Sequence, residues 1–304
     1  MTQPPRLFDR DLHRLRLARA APRLAGADFL KVRAAEDLSI RLAAINRCFP
    51  VAVDLGARTG VFARALAASE AADKVDLLVQ TDLSAAMLGL ADGERLVADE
   101  ARLPFNEASV DLVVSSLALH WLDDLVGTLI QIRRVLKPDG LFLGAVLGGA
   151  SLTELRQCLM DAEIELAGGA GPRVSPFLDA YDGAALMQRA GFALPVIDVD
   201  KVVVRYDHPL RLMADLRAMG ETNVLFERPR SPLTRRMLAR ASEHYFQRFG
   251  TTDGRIAATF EIITLTGWAP HPDQQQPLAP GSAKVRLADA LGVREQSAGD
   301  PAKP

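Results

Sequence analysis

The chain has 304 residues, with 36 basic against 38 acidic side chains and 49% hydrophobic residues. That balance excludes a disordered chain, a collagen-like one and an electrostatically driven nucleic-acid binder. A chain of this length buries roughly three quarters of its unfolded surface, enough for one large core with an appendage or for two small domains.

The N-terminus is rich in arginine (Arg6, Arg10, Arg14, Arg16, Arg19, Arg23) and lacks the apolar core of a secretory signal. Asp9 and Asp11 argue against an organellar transit peptide. Residues 1–50 carry ten basic and five acidic groups, whereas 51–150 carry eight and fourteen, so a boundary is expected near Pro50. Within the first block, Phe29 to Asn46 repeats apolar residues at three- and four-residue spacing, and the block reads as a helical lid or brace. Cys48 and Cys158 are the only cysteines, and neither sits in a CxxC or paired Cys/His spacing. A zinc site or disulfide framework is unsupported and a reducing compartment fits best.

From Val51 short apolar runs alternate with helical segments: Val51–Leu55, Leu77–Thr81, Leu96–Ala98, Asp111–Ser115 and Leu141–Val146. This rhythm predicts parallel strands joined by helical crossovers, a doubly wound α/β sheet, because a strand buried on both faces reads as a continuous apolar run. Thr59–Ala68, Ser84–Leu90, Asp124–Leu136 and Ser151–Leu166 supply the crossovers, with Ser84 and Ser151 as N-caps. Lys137-Pro138-Asp139-Gly140 predicts a break between helix and strand. The run Leu141 to Leu152 is too short to span a bilayer. Gly168–Gly171 with Pro172 and Pro176 marks a loop, Tyr181–Ala190 a short helix ended by Gly191, and Val196–Tyr206 and Ala257–Trp268 two further strands. The segment 207–256 between them is expected to be helical, with nine arginines and six acidic residues, and to cover the carboxyl ends of the strands. Its surface is either a protein-docking face or simply a solvated one. The tail beyond Pro270 is expected to be partly disordered.

Three turns carry the chemistry. Asp54-Leu55-Gly56-Ala57-Arg58-Thr59-Gly60 follows the first strand, where glycine permits positive φ and close approach to a ligand. Asp82 closes the second strand, where a carboxylate can accept ribose hydroxyls, and Asp99 with Glu100 follows the third, where a carboxylate can accept an adenine amino group. Together they describe an adenosine pocket; taken singly, Asp82 and Asp99 also read as solvated loop carboxylates.

Those residues, with Asp82-Leu83-Ser84, Leu103-Pro104-Phe105, Asp111–Ser116 and Leu136–Gly140, resemble the class I S-adenosylmethionine-dependent methyltransferases. Phe8-Asp9-Arg10-Asp11-Leu12, Ser115–Trp121, Gly148-Gly149, Glu154-Leu155-Arg156, Gly168-Gly169, Ser175-Pro176-Phe177, Met219–Asn223, Gly267-Trp268 and Gly281-Ser282-Ala283 resemble, more narrowly, the respiratory complex I assembly factor 5 family. The resemblance spans about residues 6–287. It implies a seven-stranded Rossmann-like methyltransferase sheet (51–270) with an N-terminal helical lid (1–50), a helical insertion before the last strand and an irregular tail (271–304). It implies S-adenosyl-L-methionine as cofactor, held by Asp54, Gly56, Ala57, Arg58, Gly60, Asp82, Leu83, Asp99 and Glu100. It also implies a protein partner, a complex I quinone-module subunit hydroxylated on an arginine, and a cytoplasmic location in bacteria or a matrix-side one in mitochondria. Two hypotheses stand beside it: a conventional methyltransferase acting on a small-molecule or carrier-bound carboxyl, and a non-catalytic assembly chaperone.

Arg58 departs from the pattern, standing where the family's middle glycine belongs. Its side chain either points to solvent, pairs with the carboxylate of the ligand or fills the methionine site. His120, beside Trp121 after the fourth strand, reads as a base or orienting group facing the acceptor, or as a hydrogen-bonded packing residue; His13, His208 and His244 read as surface or packing residues. Asp9 in an N-terminal lid and Glu221 beside Gly220 are candidates to meet a cationic arginine substrate, the bland reading of the first being a solvated N-terminus. No dedicated metal site is expected, since His271-Pro272-Asp273 matches only half of a two-histidine, one-carboxylate triad.

Overall fold

The computed structural model describes residues 6–274 and 285–294. The five apolar runs become parallel strands β1 (Phe49–Leu55), β2 (Val75–Asp82), β3 (Glu94–Val97), β4 (Val110–Ser116) and β5 (Leu136–Leu147). Two longer strands, β6 (Ala193–Tyr206) and β7 (Ile256–Trp268), join antiparallel, giving a seven-stranded sheet in the order β3-β2-β1-β4-β5-β7-β6. The helices are α1 (Arg10–Ala20), α2 (Phe29–Ala44), α3 (Val61–Ala67), α4 (Ala85–Leu88), α5 (Leu125–Val135), α6 (Thr153–Ala167), α7 (Ala180–Arg189), α8 (Pro209–Met219), α9 (Arg235–Phe249) and α10 (Leu287–Leu291).

Alternation along the strands sends side chains into two cores, as the pleat requires. Ala52, Leu112, Val114, Leu141 and Leu143 pack with residues of α2, α3 and α6. Val53, Leu55, Val113, Phe142 and Val146 pack with residues of α5 and α7. At β1, β4 and β5 both faces are therefore covered, the condition under which parallel strands read as unbroken apolar runs, while the edge strand β3 is exposed. The strand order reverses between β1 and β4, and the crevice at their carboxyl ends is where such sheets place a ligand.

Residues up to Pro270 form one compact unit, and the lid is continuous with the sheet rather than separate from it. The expected boundary at Pro50 falls inside β1, which begins at Phe49. Lys137–Gly140 is not a loop: α5 ends at Val135 and β5 begins at the next residue, with Leu136 pairing to Val110 across a register shift. Asp139 absorbs the local strain by taking a positive φ of 61°. Ser84 caps α4 as expected, its hydroxyl accepting from the Met87 N–H. Ser151 does not cap α6. Leu152 holds that position at φ 55°, because the Ser151 hydroxyl is engaged with the backbone of Glu261 on β7. The insertion at 207–256 is not helical throughout; α8 and α9 are separated by an irregular stretch, 220–234.

The region from His271 onward is a second unit carrying α10 among its described residues. Gly281-Ser282-Ala283, and the tail prolines and glutamines from Gln275 to Pro280, lie outside the described residues. No helix among the described residues is long and apolar enough to cross a membrane.

Candidate functional site

The turn after β1 is shaped by two glycines in the left-handed region, Gly56 at φ 73° and Gly60 at φ 74°. The Gly56 and Ala57 N–H groups both donate to the Thr81 carbonyl at the end of β2, at 2.9 and 2.8 Å. Between the glycines, Arg58 also takes a positive φ, 55°, a conformation that costs an L-residue other than glycine roughly 1–2 kcal/mol. Asp82 offsets that cost: its Oδ2 accepts from the Arg58 backbone N–H at 3.0 Å and from the Arg58 guanidinium at 2.9 Å. The other Asp82 oxygen accepts from the Ser84 N–H at 2.8 Å.

Arg58 is thus neither solvent-facing nor free, with its side chain only 2% exposed. Its second terminal nitrogen, Nη2, has no hydrogen-bond partner. Arg10 of α1 reaches the same rim and binds Asp99 and Glu100, both at 2.5 Å. Burial raises the Glu100 carboxyl above its ordinary value against the opposing charge of Arg10. Leu83 is half-buried between Asp82 and Ser84.

Beneath the turn, Asp54 is fully buried and neither carboxylate oxygen has a hydrogen-bond partner. Burial, helped by the charge of Asp82 and opposed by Lys31 and Arg58, pushes it up to about 7. Lys31 of α2 donates to the carbonyls of Gly56 at 2.8 Å and Ser116. Burial and then Arg58 lower its ammonium to about 8, against the pull of Asp54.

After β4, a short 3-10 turn (Leu119–Trp121) points His120 and Trp121 toward the irregular stretch that follows α8. The Glu221 carboxylate accepts on one oxygen from the Trp121 indole at 2.8 Å and faces His120 Nε2 at 3.1 Å. Burial alone would raise Glu221, but the charges of His120 and Arg58 and the two hydrogen bonds hold it below the ordinary carboxylate value. His120 Nδ1 is buried without a partner.

The sequence-predicted residues Asp82, Asp99, Glu100, His120 and Glu221 therefore share one rim with Arg58. Asp9 does not join them. It caps α1 through the Leu12 N–H at 3.0 Å and lies 3.5 Å from Arg228, because Phe8 and Asp9 are strapped to Leu225 and Val224. Gly220 serves packing rather than substrate approach: it ends α8 at φ 83°, and a Cβ there would sit 2.9 Å from Leu17 of α1.

Three residues at the site were given no functional role by the sequence. Lys31 interrupts the apolar Phe29–Leu42 face of α2, and that interruption was the available signal. Arg10 belongs to the Phe8–Leu12 motif, but only Asp9 of that motif reads as facing a substrate. His13 is buried against Trp121, ring centroids 4.9 Å apart. Burial, then Arg58 and Arg10, lower its imidazole well below the ordinary value. Elsewhere, His208 caps α8, and His244 lies 3.0 Å from Glu165. Among the described residues no group of three or more His, Cys, Asp or Glu side chains is arranged to hold a metal ion.

In this arrangement of side chains the places for a nucleoside are taken by the protein's own arginines. The space beside Arg58, Lys31, His120 and Glu221 is about 30 Å³. The carboxylates expected to take ribose and adenine are bound to Arg58 and Arg10 instead.

Residues 53–144 match a family described as a methyltransferase domain. The mitochondrial arginine-hydroxylase NDUFAF5 of Danio rerio is 38% identical over 93% of this chain and 89% of its own. The Homo sapiens protein of that name is 38% identical over 93% and 83%. The malonyl-[acyl-carrier protein] O-methyltransferase of Methylovorus is 31% identical over 96% of both chains. Among solved structures, a methyltransferase-titled protein of Bacillus halodurans superposes with a TM-score of 0.55 at 17% identity, over 78% of this chain and 99% of that one; this is a likeness of fold. The chain belongs to the methyltransferase superfamily and, within it, to the family of the NDUFAF5 arginine-hydroxylases.

Proposed function

We propose that the protein recognises and modifies an arginine side chain of a protein partner by hydroxylation, as the name of its NDUFAF5 relatives describes, a C–H bond becoming C–OH with dioxygen as oxidant and a separate two-electron reductant carrying the second oxygen atom to water. The observation that carries this reading is the buried placement of a guanidinium among carboxylates. Arg58 pairs with Asp82 and is drawn further by the charges of Glu221 and Glu100. A rim that stabilises one desolvated guanidinium has the charge and hydrogen-bonding capacity to receive another. Glu221, ionised and oriented by Trp121 and His120, is the group proposed to meet the incoming arginine. His120 is its positioning partner, and burial of Phe8, Trp121 and Val224 around them excludes water.

The superfamily's cofactor, S-adenosyl-L-methionine, is proposed to bind the Gly56–Gly60 turn only after Arg58 and Arg10 leave Asp82, Asp99 and Glu100. The partner is proposed to be a subunit of respiratory complex I, as the family resemblance implies.

Mass spectrometry of that subunit from a deletion strain tests the reading. The expected result is an arginine lighter by the mass of one oxygen atom. A deficit of one CH₂ would replace hydroxylation by methylation, and an unchanged subunit would leave a chaperone.

A further inference from the structure

Next to the buried rim lies a cleft of about 1200 Å³, bounded by α1, α6, α8 and the stretch 220–234. Its edge is cationic. Arg16, Arg19 and Arg23 come from α1 and the turn after it, Arg217 from α8, and Arg228 and Arg230 from the irregular stretch. Arg228 lies near Asp9, but Arg16, Arg19, Arg23 and Arg217 have no acidic partner among the described residues. Burial and then the charges of Arg228, Arg19 and Arg217 lower the Arg16 guanidinium from its ordinary value, against a smaller opposing pull from Asp9. The floor is apolar, formed by residues such as Leu155, Leu159, Phe177, Leu216, Leu233 and Leu238. Among the described residues lining the cleft, Glu221 is the one acidic side chain, and it also lines the space beside Arg58 and His120.

This combination selects among partners. Unpaired like charges held together are destabilising until an anion arrives. The apolar floor asks for side chains that bury hydrocarbon. A lipid surface is flat and does not enter a recess. A nucleic-acid strand would bring phosphates toward Glu221 and find no run of aromatic platforms on which to stack.

We propose that the cleft is the docking groove for an acidic and apolar segment of the protein partner, whose aspartates or glutamates pair with the arginine edge while its target arginine reaches Glu221. The assignment rests on the arginine-modifying function proposed above. It adds that the target is flanked by acidic and apolar residues and that a lysine-flanked arginine is rejected at the edge.

The test is fluorescence anisotropy with the full chain and a labelled peptide in which one arginine is flanked by alternating aspartate and leucine. A second peptide carries lysine for aspartate, and a third carries glutamine for the arginine. The aspartate peptide is expected to bind at least about tenfold more tightly than the lysine peptide, with the difference shrinking as salt is raised. Arg16→Glu with Arg217→Glu is expected to abolish that preference, and Arg16→Gln with Arg217→Gln, which adds no new charge, to reduce it. Equal binding of the two charged peptides, or an unchanged preference in both double variants, would overturn the groove. So would an aspartate peptide that fails to bind while phosphatidylglycerol vesicles bind and lose that binding in the same variants. The third peptide separates the two claims. Binding as tight as that of the arginine peptide, to wild type and to Glu221→Gln alike, supports the groove while removing the arginine reading.

Discussion

The Arg58 guanidinium and the Asp82 carboxylate form an ion pair 2.9 Å long with side-chain exposures of 2% and 0%. Two charges so deeply buried are held chiefly by each other, since removal of either leaves the other uncompensated. Asp82→Ala is therefore expected to lower stability by about 3–5 kcal/mol in urea denaturation. Adding Arg58→Gly to it should recover much of that loss, because the orphaned cation and the positive-φ side chain go together. Strictly additive losses would mean that the pair is not coupled.

Asp54 makes stability depend on pH. Its folded value is about 7, against about 3.9 in an unfolded chain. A raised folded value contributes stability that is present below the unfolded value and is lost as pH rises through the folded one. Asp54→Asn removes this titration, so the melting temperature of the variant relative to wild type should climb as pH rises from about 4 to about 7. A constant difference across that window would show that Asp54 is ionised throughout.

Glu221 accepts the Trp121 indole N–H and faces His120. Glu221→Ala is expected to abolish modification of the partner and to lower stability by about 1–3 kcal/mol, the cost of leaving buried polar groups unpaired. Glu221→Gln keeps an acceptor for the indole and should retain most of the stability while still losing modification. Retained modification in the glutamine variant would remove the charge of Glu221 from the account.

Asp9 is expected to behave as a structural residue. Asp9→Ala should cost about 1 kcal/mol through loss of the N-cap of α1. Because α1 carries Arg10 to Asp99 and Glu100, the variant should also lose protection of the α1 amides in hydrogen exchange. An unaltered exchange pattern would separate the cap from the lid.

The central strands were legible because β4 and most of β1 and β5 are buried on both faces, so that their apolar runs are unbroken, whereas β3 is exposed along its length. The acidic turns were legible because Asp54 stands at the carboxyl end of β1, Asp82 closes β2 and Asp99 follows β3. What fills the rim was not. The partners of Arg10 lie 89 and 90 positions away, so its place in the Phe8–Leu12 motif does not tell what it binds. Lys31 is buried only because the carbonyls of Gly56 and Ser116 converge above it. Ser151 has the composition of a cap, yet the Glu261 backbone takes its hydroxyl. In each case a tertiary hydrogen bond overrides a sound local preference.

Calorimetric titration of S-adenosyl-L-methionine into wild type and Arg58→Gly tests the self-filled rim most directly. If Arg58 stands in the place of the ligand, the variant binds at least about tenfold more tightly, the factor that 1.4 kcal/mol of lost competition produces. Unchanged or weaker affinity in the variant would contradict it.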